Sequence, residues 1–112
     1  MPTPMTPRSF TVPAYMPHLP REEVRGYAIG PFGIYKYGRP GHAVWTIVLF
    51  SSGNHLYRKL DCRTRAQARA KVERLIALGV DWTKDDLSKI AGSTEAALTN
   101  LLADIRAIAE AE

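Results

Sequence analysis

The sequence predicts an α+β fold: a three- to four-stranded antiparallel meander packed on one helix, followed by a C-terminal helical hairpin. Three observations carry this expectation. Residues 43–50 (AVWTIVLF) run without a charge, glycine or proline and are rich in the β-branched and aromatic types that suit a pleated surface. Residues 64–79 (TRAQARAKVERLIALG) open on a capping pattern and repeat apolar residues at helical spacing. Residues 98–108 repeat that spacing beyond a Gly-Ser break.

At 112 residues the chain has the length of one domain with a single modest core. Hydrophobic residues make up 46% and charged residues 23%, the balance of a folded globular protein, which argues against wholesale disorder. The longest apolar run is about half of what a bilayer span needs, so no membrane crossing is expected. The first ten residues (MPTPMTPRSF) hold no apolar signal core, and the one cysteine, Cys62, has no partner for an internal disulfide. A cytoplasmic site is the resulting expectation.

Charge is unevenly distributed along the chain. Residues 21–79 hold eleven Lys or Arg against four acids, net +7, whereas residues 80–112 hold three against seven, net −4. A basic segment of this kind suits nucleic acid or an acidic protein surface, and charge alone does not separate the two.

Three parts follow in order: an arm over 1–20, a sheet with its basic helix over 21–79, and a helical hairpin over 80–112. Six prolines in the first 20 residues remove backbone donors and fix φ. This stretch reads as an extended arm, expected to be flexible, with the alternative that Phe10, Val12, Tyr15 and Met16 dock it on its own domain or a partner. Residues 24–29 form a candidate edge strand interrupted by Gly26, and 33–37 (GIYKY) a firmer one. A glycine- and proline-bearing loop over 38–42 leads into the central strand.

A two-residue turn at Gly53-Asn54 sets Phe50 opposite Tyr57, Val48 opposite Lys59 and Thr46 opposite Asp61 on one side of the sheet. The other side then holds Trp45 with Cys62, Ile47 with Leu60 and Leu49 with Arg58. The second side is the expected core face and the first an open, wet one. A longer turn would exchange these assignments.

Thr64 and Gln67 supply a capping-box pattern, and Gly79 is suited to the position beyond the helix end. Ala68, Val72, Leu75 and Ile76 form the stripe that faces the sheet. Thr83 and Asp86 suggest a second cap, Gly92-Ser93 a break, and 94–111 a longer helix. Its stripe of Leu98, Leu101, Leu102, Ile105 and Ile108 is expected to pair with a second copy in a homodimer, or else to close over Trp82 and the back of the first helix as a monomer.

The order GIYKY, AVWTIVLF, HLYRKLDC and the capped basic helix resembles the AP2-like and integrase arm-binding domains over residues 33–79. That resemblance implies one helix behind a three-stranded sheet whose open face lies in the DNA major groove. It implies Thr46, Tyr57 and Lys59 as contacts, with Lys36 and Arg39 at the first strand and its loop. Residues 86–102 (DLSKIAGSTEAALTNLL) resemble a helix-turn-helix. Its second helix exposes Thr94, Glu95, Thr99, Asn100 and Asp104 with no basic residue before Arg106, so a plain helical hairpin is the expected reading.

Arg58, Lys59, Arg63, Arg65, Arg69, Lys71 and Arg74 place seven cations within 17 residues, opposed by Asp61 and Glu73. Tyrosines beside them add stacking surfaces to the charge. His18, His42 and His55 are scattered without metal-ligand spacing, Cys62 reads as a core residue, and no catalytic motif, metal site or cofactor motif is present. Hence the expected function is a small non-enzymatic nucleic-acid-binding accessory protein of phage or plasmid type. The alternative is a protein-interaction module, such as a phage-encoded inhibitor of a host defence complex of the anti-CRISPR kind.

Overall fold

The computed structural model describes residues 3–14, 16, 18–38, 41–56 and 60–111. Five antiparallel strands, β1 (Met5–Val12), β2 (Glu22–Ile29), β3 (Phe32–Tyr37), β4 (Val44–Leu49) and β5 (Asn54–His55), lie side by side in chain order. Three helices follow, α1 (Arg65–Ile76), α2 (Leu87–Ala91) and α3 (Glu95–Glu110). The fold is α+β, with a C-terminal helical hairpin after the sheet and its helix.

Helix α1 starts where its sequence signals. The Thr64 hydroxyl accepts from the Gln67 N–H at 3.1 Å, and the Gln67 side-chain oxygen accepts from the Arg63 N–H at 3.1 Å. The first bond satisfies one of the helix's orphan donors, and the second satisfies the N–H of the residue just before the cap. Ala68, Val72 and Leu75 are fully buried against Ile29, Phe32, Ile34, Ile47 and Leu49. Asp86 and Thr94 cap α2 and α3 in the same way, and Gly92 in the left-handed region makes the break between them.

The α3 stripe closes inward. Leu101, Ile105 and Ile108 belong to the same core as Trp82 and Leu75, and the Trp82 indole donates to the Leu75 carbonyl at 3.1 Å. Three of the five residues expected at a dimer interface are therefore core residues of one chain, because the back of α1 offers a partner for the stripe. Leu98 is half-buried and Leu102 is 44% exposed. A single exposed leucine is ordinary surface.

The N-terminal arm is the largest departure from expectation. Residues 5–12 pair with β2 along their whole length, from Met5↔Ile29 to Val12↔Glu22. β2 is therefore an interior strand, and Pro7 is accommodated because β1 is the edge. The β2–β3 ladder covers only Tyr27↔Ile34 to Ile29↔Phe32. Beyond it the hairpin leaves the ladder and folds across the sheet face opposite the helices. Gly26 makes that crossing, since a Cβ there would stand 2.0 Å from the Ile34 carbonyl oxygen. Phe10 and Val12 thus form a second apolar cluster with Tyr35 and Val48, and Arg21 donates to the Gly53 carbonyl to pin the far end.

The β4–β5 connection uses a longer turn than two residues. Leu49 pairs with Asn54 and Val48 with His55, so 50–53 form the loop and Gly53 takes a positive φ of 71°. Continued in that register, residue 58 would stand opposite Trp45. Cys62 stands there instead, through a two-hydrogen-bond bridge, so the register differs by four residues between the two pairings. The expected Trp45–Cys62 pair and the core face of β4 hold, while the pairs near the turn do not.

Candidate nucleic-acid interface

Strand alternation decides which candidate residues can meet. On the hairpin side of the sheet, Thr46 is only 2% exposed and pairs with Tyr35, so it is not on an open face. The expected wet side is covered because β1 and β2 supply their own apolar residues to it. Lys36 pairs with Trp45 and so lies on the helix side of the sheet, opposite to Thr46. Arg39, Tyr57, Arg58 and Lys59 fall outside the described residues.

The cations of α1 divide by position on the helix. Arg65 lies 4.8 Å over the Tyr27 ring and donates to its hydroxyl at 2.6 Å. Arg69 donates to the Thr3 carbonyl at 3.4 Å, while Glu73 accepts from the Thr3 N–H at 3.0 Å, so the two fasten the start of the chain to the helix. Lys71 donates to the Ala109 carbonyl at 2.9 Å and places a cation at the negative end of α3, which has no basic residue in its own last turn. Arg63 and Arg74 face outward and, like Lys36 and Arg25, make no side-chain hydrogen bond or ion pair with a described residue. Two ion pairs occur among the described residues, Lys89–Asp85 and Arg106–Glu110, and neither touches α1.

Between α1 and the end of α3 runs an open cleft of about 700 Å3, floored by Ala66 and Ala70 and edged by Arg63, Lys71 and Arg74. Asp61 and Glu110 also line it. At its base Cys62 is buried, and burial pushes its thiol pKa up, which keeps it protonated and a poor nucleophile.

At the end of the sheet beside the start of α1, Lys36, Trp45 and Cys62 form one cross-strand row, and Arg63 follows directly. The rings of Tyr27 and Trp45 meet over β3 with centroids 6.1 Å apart. Composition and spacing had assigned Trp45 to the core and Tyr27 and Arg25 to an uncertain strand. The one signal available for the ring pair was parity along each strand, and the β2 register was not legible.

On the covered side a polar cluster joins the apolar one. Tyr35 and the His55 Nε2 are 2.7 Å apart, and the Tyr37 hydroxyl donates to Asp61 at 2.9 Å. Burial pushes the Tyr35 pKa up to about 12 and lowers that of His55. Both are held neutral near pH 7, which suits a structural pair rather than a nucleophile with its base. No helix among the described residues is long and apolar enough to cross a membrane. The chain matches no protein-family model, no curated protein and no solved structure.

Proposed function

We propose that this protein is a non-enzymatic nucleic-acid-binding protein whose contact surface is the outward side of α1 and the adjoining end of the sheet. The observation that carries the reading is that Lys36, Arg63 and Arg74 have no side-chain partner among the described residues. Cations left unneutralised by the fold are available to phosphates, and Arg63 and Arg74 edge a cleft whose alanine floor lets a backbone approach closely. This moves the surface away from the sheet face implied by the AP2-like resemblance and keeps the basic helix. The acidic C-terminal hairpin is not part of it, because α3 turns Glu95, Thr99, Asn100 and Asp104 outward.

Fluorescence anisotropy with a labelled oligonucleotide across a salt series tests the reading. Three phosphate contacts give log K against log salt a slope of about −2 to −3. Arg63→Glu with Arg74→Glu should flatten that slope by about two and weaken binding at low salt. No binding at micromolar protein in low salt would sink the proposal. The other partner such cations fit is an acidic protein surface, such as a host complex inhibited by this chain would present; salt-dependent capture of an acidic protein by a preparation that ignores nucleic acid would decide for it.

A further inference from the structure

The cations at the start of α1 surround two half-buried rings, Tyr27 and Trp45, tilted by 40° to one another. Trp45 is held on both sides, by its ladder pairing with Lys36 and by two backbone hydrogen bonds of 2.7 and 2.8 Å to Cys62. Tyr27 is held by Arg65, which both stacks on the ring and donates to its hydroxyl. The contrast with Trp82 is informative. Trp82 is 4% exposed and its indole N–H is bonded to Leu75, whereas the Trp45 indole N–H bonds to no described residue. One tryptophan completes the core, and the other lies at its rim beside unneutralised charge.

We infer that this surface takes single-stranded nucleic acid, with a base stacked on Trp45, which Tyr27 and Arg65 back, and phosphates beside Lys36 and Arg63. The inference rests on the nucleic-acid reading above and narrows its substrate class. In a duplex the base faces are stacked on one another, so a side chain outside the helix meets phosphates, sugars and base edges. A single strand presents its faces, and any base stacks on an aromatic ring, which gives affinity with little sequence preference. Rings fixed by their neighbours lose little freedom on binding.

The chain's two tryptophans make the test direct. Unaltered protein is titrated with a mixed-sequence single strand, as DNA and as RNA, and with the duplex of the same sequence, following anisotropy and tryptophan emission together. The single strand should bind at least about fivefold tighter than the duplex and quench the emission of Trp45, while buried Trp82 reports that the fold persists. Trp45→Ala should weaken single-strand binding about tenfold or more and duplex binding by much less. Trp45→Phe, which keeps a ring, should restore most of it, and this separates stacking from loss of structure. Preference for either DNA or RNA single strands supports the inference. Equal or tighter duplex binding, indifferent to Trp45→Ala, overturns it while leaving the nucleic-acid reading in place. No binding of any of the three overturns both.

Discussion

One face of the sheet is covered by helices whose buried residues recur every three or four positions; the other is covered by the outer half of the β1–β2 hairpin, which contributes Phe10, Val12 and Val24. The two covers differ in how many residues share the burden. The helix side gathers α1, α2, α3 and Trp82 into one cluster, so losing any member leaves neighbours in place. The hairpin side depends on two rings, since Phe10 makes edge contacts with both Tyr35 and Phe50 at centroid distances of 5.9 and 5.3 Å. Arg8 stacks over Phe50 at 4.3 Å and extends that cover to solvent. A core of many members fixes the fold, whereas a cover of few members adds stability that is lost locally.

Two phenylalanines test this difference. Phe32 is fully buried on the helix side and meets Trp82 edge-on at 4.9 Å. Phe32→Ala should cost about 4 kcal/mol in denaturant unfolding and shift Trp82 emission in the native state. Phe10→Ala, at the rim of the smaller cluster, should cost about 3 kcal/mol or less and leave Trp82 emission unchanged. Hydrogen exchange should then show β1 and the outer half of β2 opening while α1 stays protected. Equal costs, with α1 exchanging as fast as β1, would show that the two clusters are one.

That difference also explains what could be read from the chain. The helix side was legible because Ala68, Val72, Leu75, Ile76 and the α3 leucines carry a period, and because Thr64, Asp86 and Thr94 are caps whose chemistry is local. The hairpin side was not, because β1 contains Pro7, lies next to Pro4 and alternates mostly polar residues, so its strand state comes from pairing with β2. Its effect on the candidate site was direct. Once Phe10 and Val12 cover Val48, Thr46 loses its access to solvent, and the candidate cations that stay exposed are Lys36, Arg63 and those of α1. The four-residue change of register before Cys62 was hidden for a similar reason: a turn at 50–53 and a turn at Gly53-Asn54 differ by packing, not by residue preference.

The second contrast is between two glycines on the hairpin side, and its expected effects are smaller. At Gly26 an added Cβ meets backbone, the Ile34 carbonyl oxygen, which has nowhere to move. Gly26→Ala should cost about 3 kcal/mol and release the crossing of the hairpin. At Gly33 the nearest atoms, at 2.7 to 3.0 Å, are the ring edges of Phe50 and Phe10. Rings can slide, so Gly33→Ala should cost about 1 to 2 kcal/mol. Thermal melts of both variants check the order, and a Gly33→Ala protein less stable than Gly26→Ala would mean that the rings, not the strand crossing, hold the cover.

The smallest expected effect is a pH dependence lodged in the same cover. His55 lies beside Tyr35, and partial burial lowers its pKa from 6.5; Asp61 raises it by less, and Arg21 lowers it further. Because the folded pKa is below the unfolded one, the unfolded chain binds more protons between the two values, and stability rises with pH across that window. Acidification from about pH 6.5 should therefore erode stability until the folded group is itself protonated. Protonation puts a hydrogen on both ring nitrogens, so Nε2 can then only donate to the Tyr35 oxygen. His55→Gln keeps a hydrogen-bonding side chain and removes the titration. The gap between the wild-type and His55→Gln curves isolates this group, since His18 and His42 remain in both. Denaturant midpoints measured from pH 7.5 to 5 should fall for the wild type and stay flatter for the variant. Parallel curves would show that His55 titrates alike in the folded and unfolded chain, and that its place beside Tyr35 does not lower its pKa.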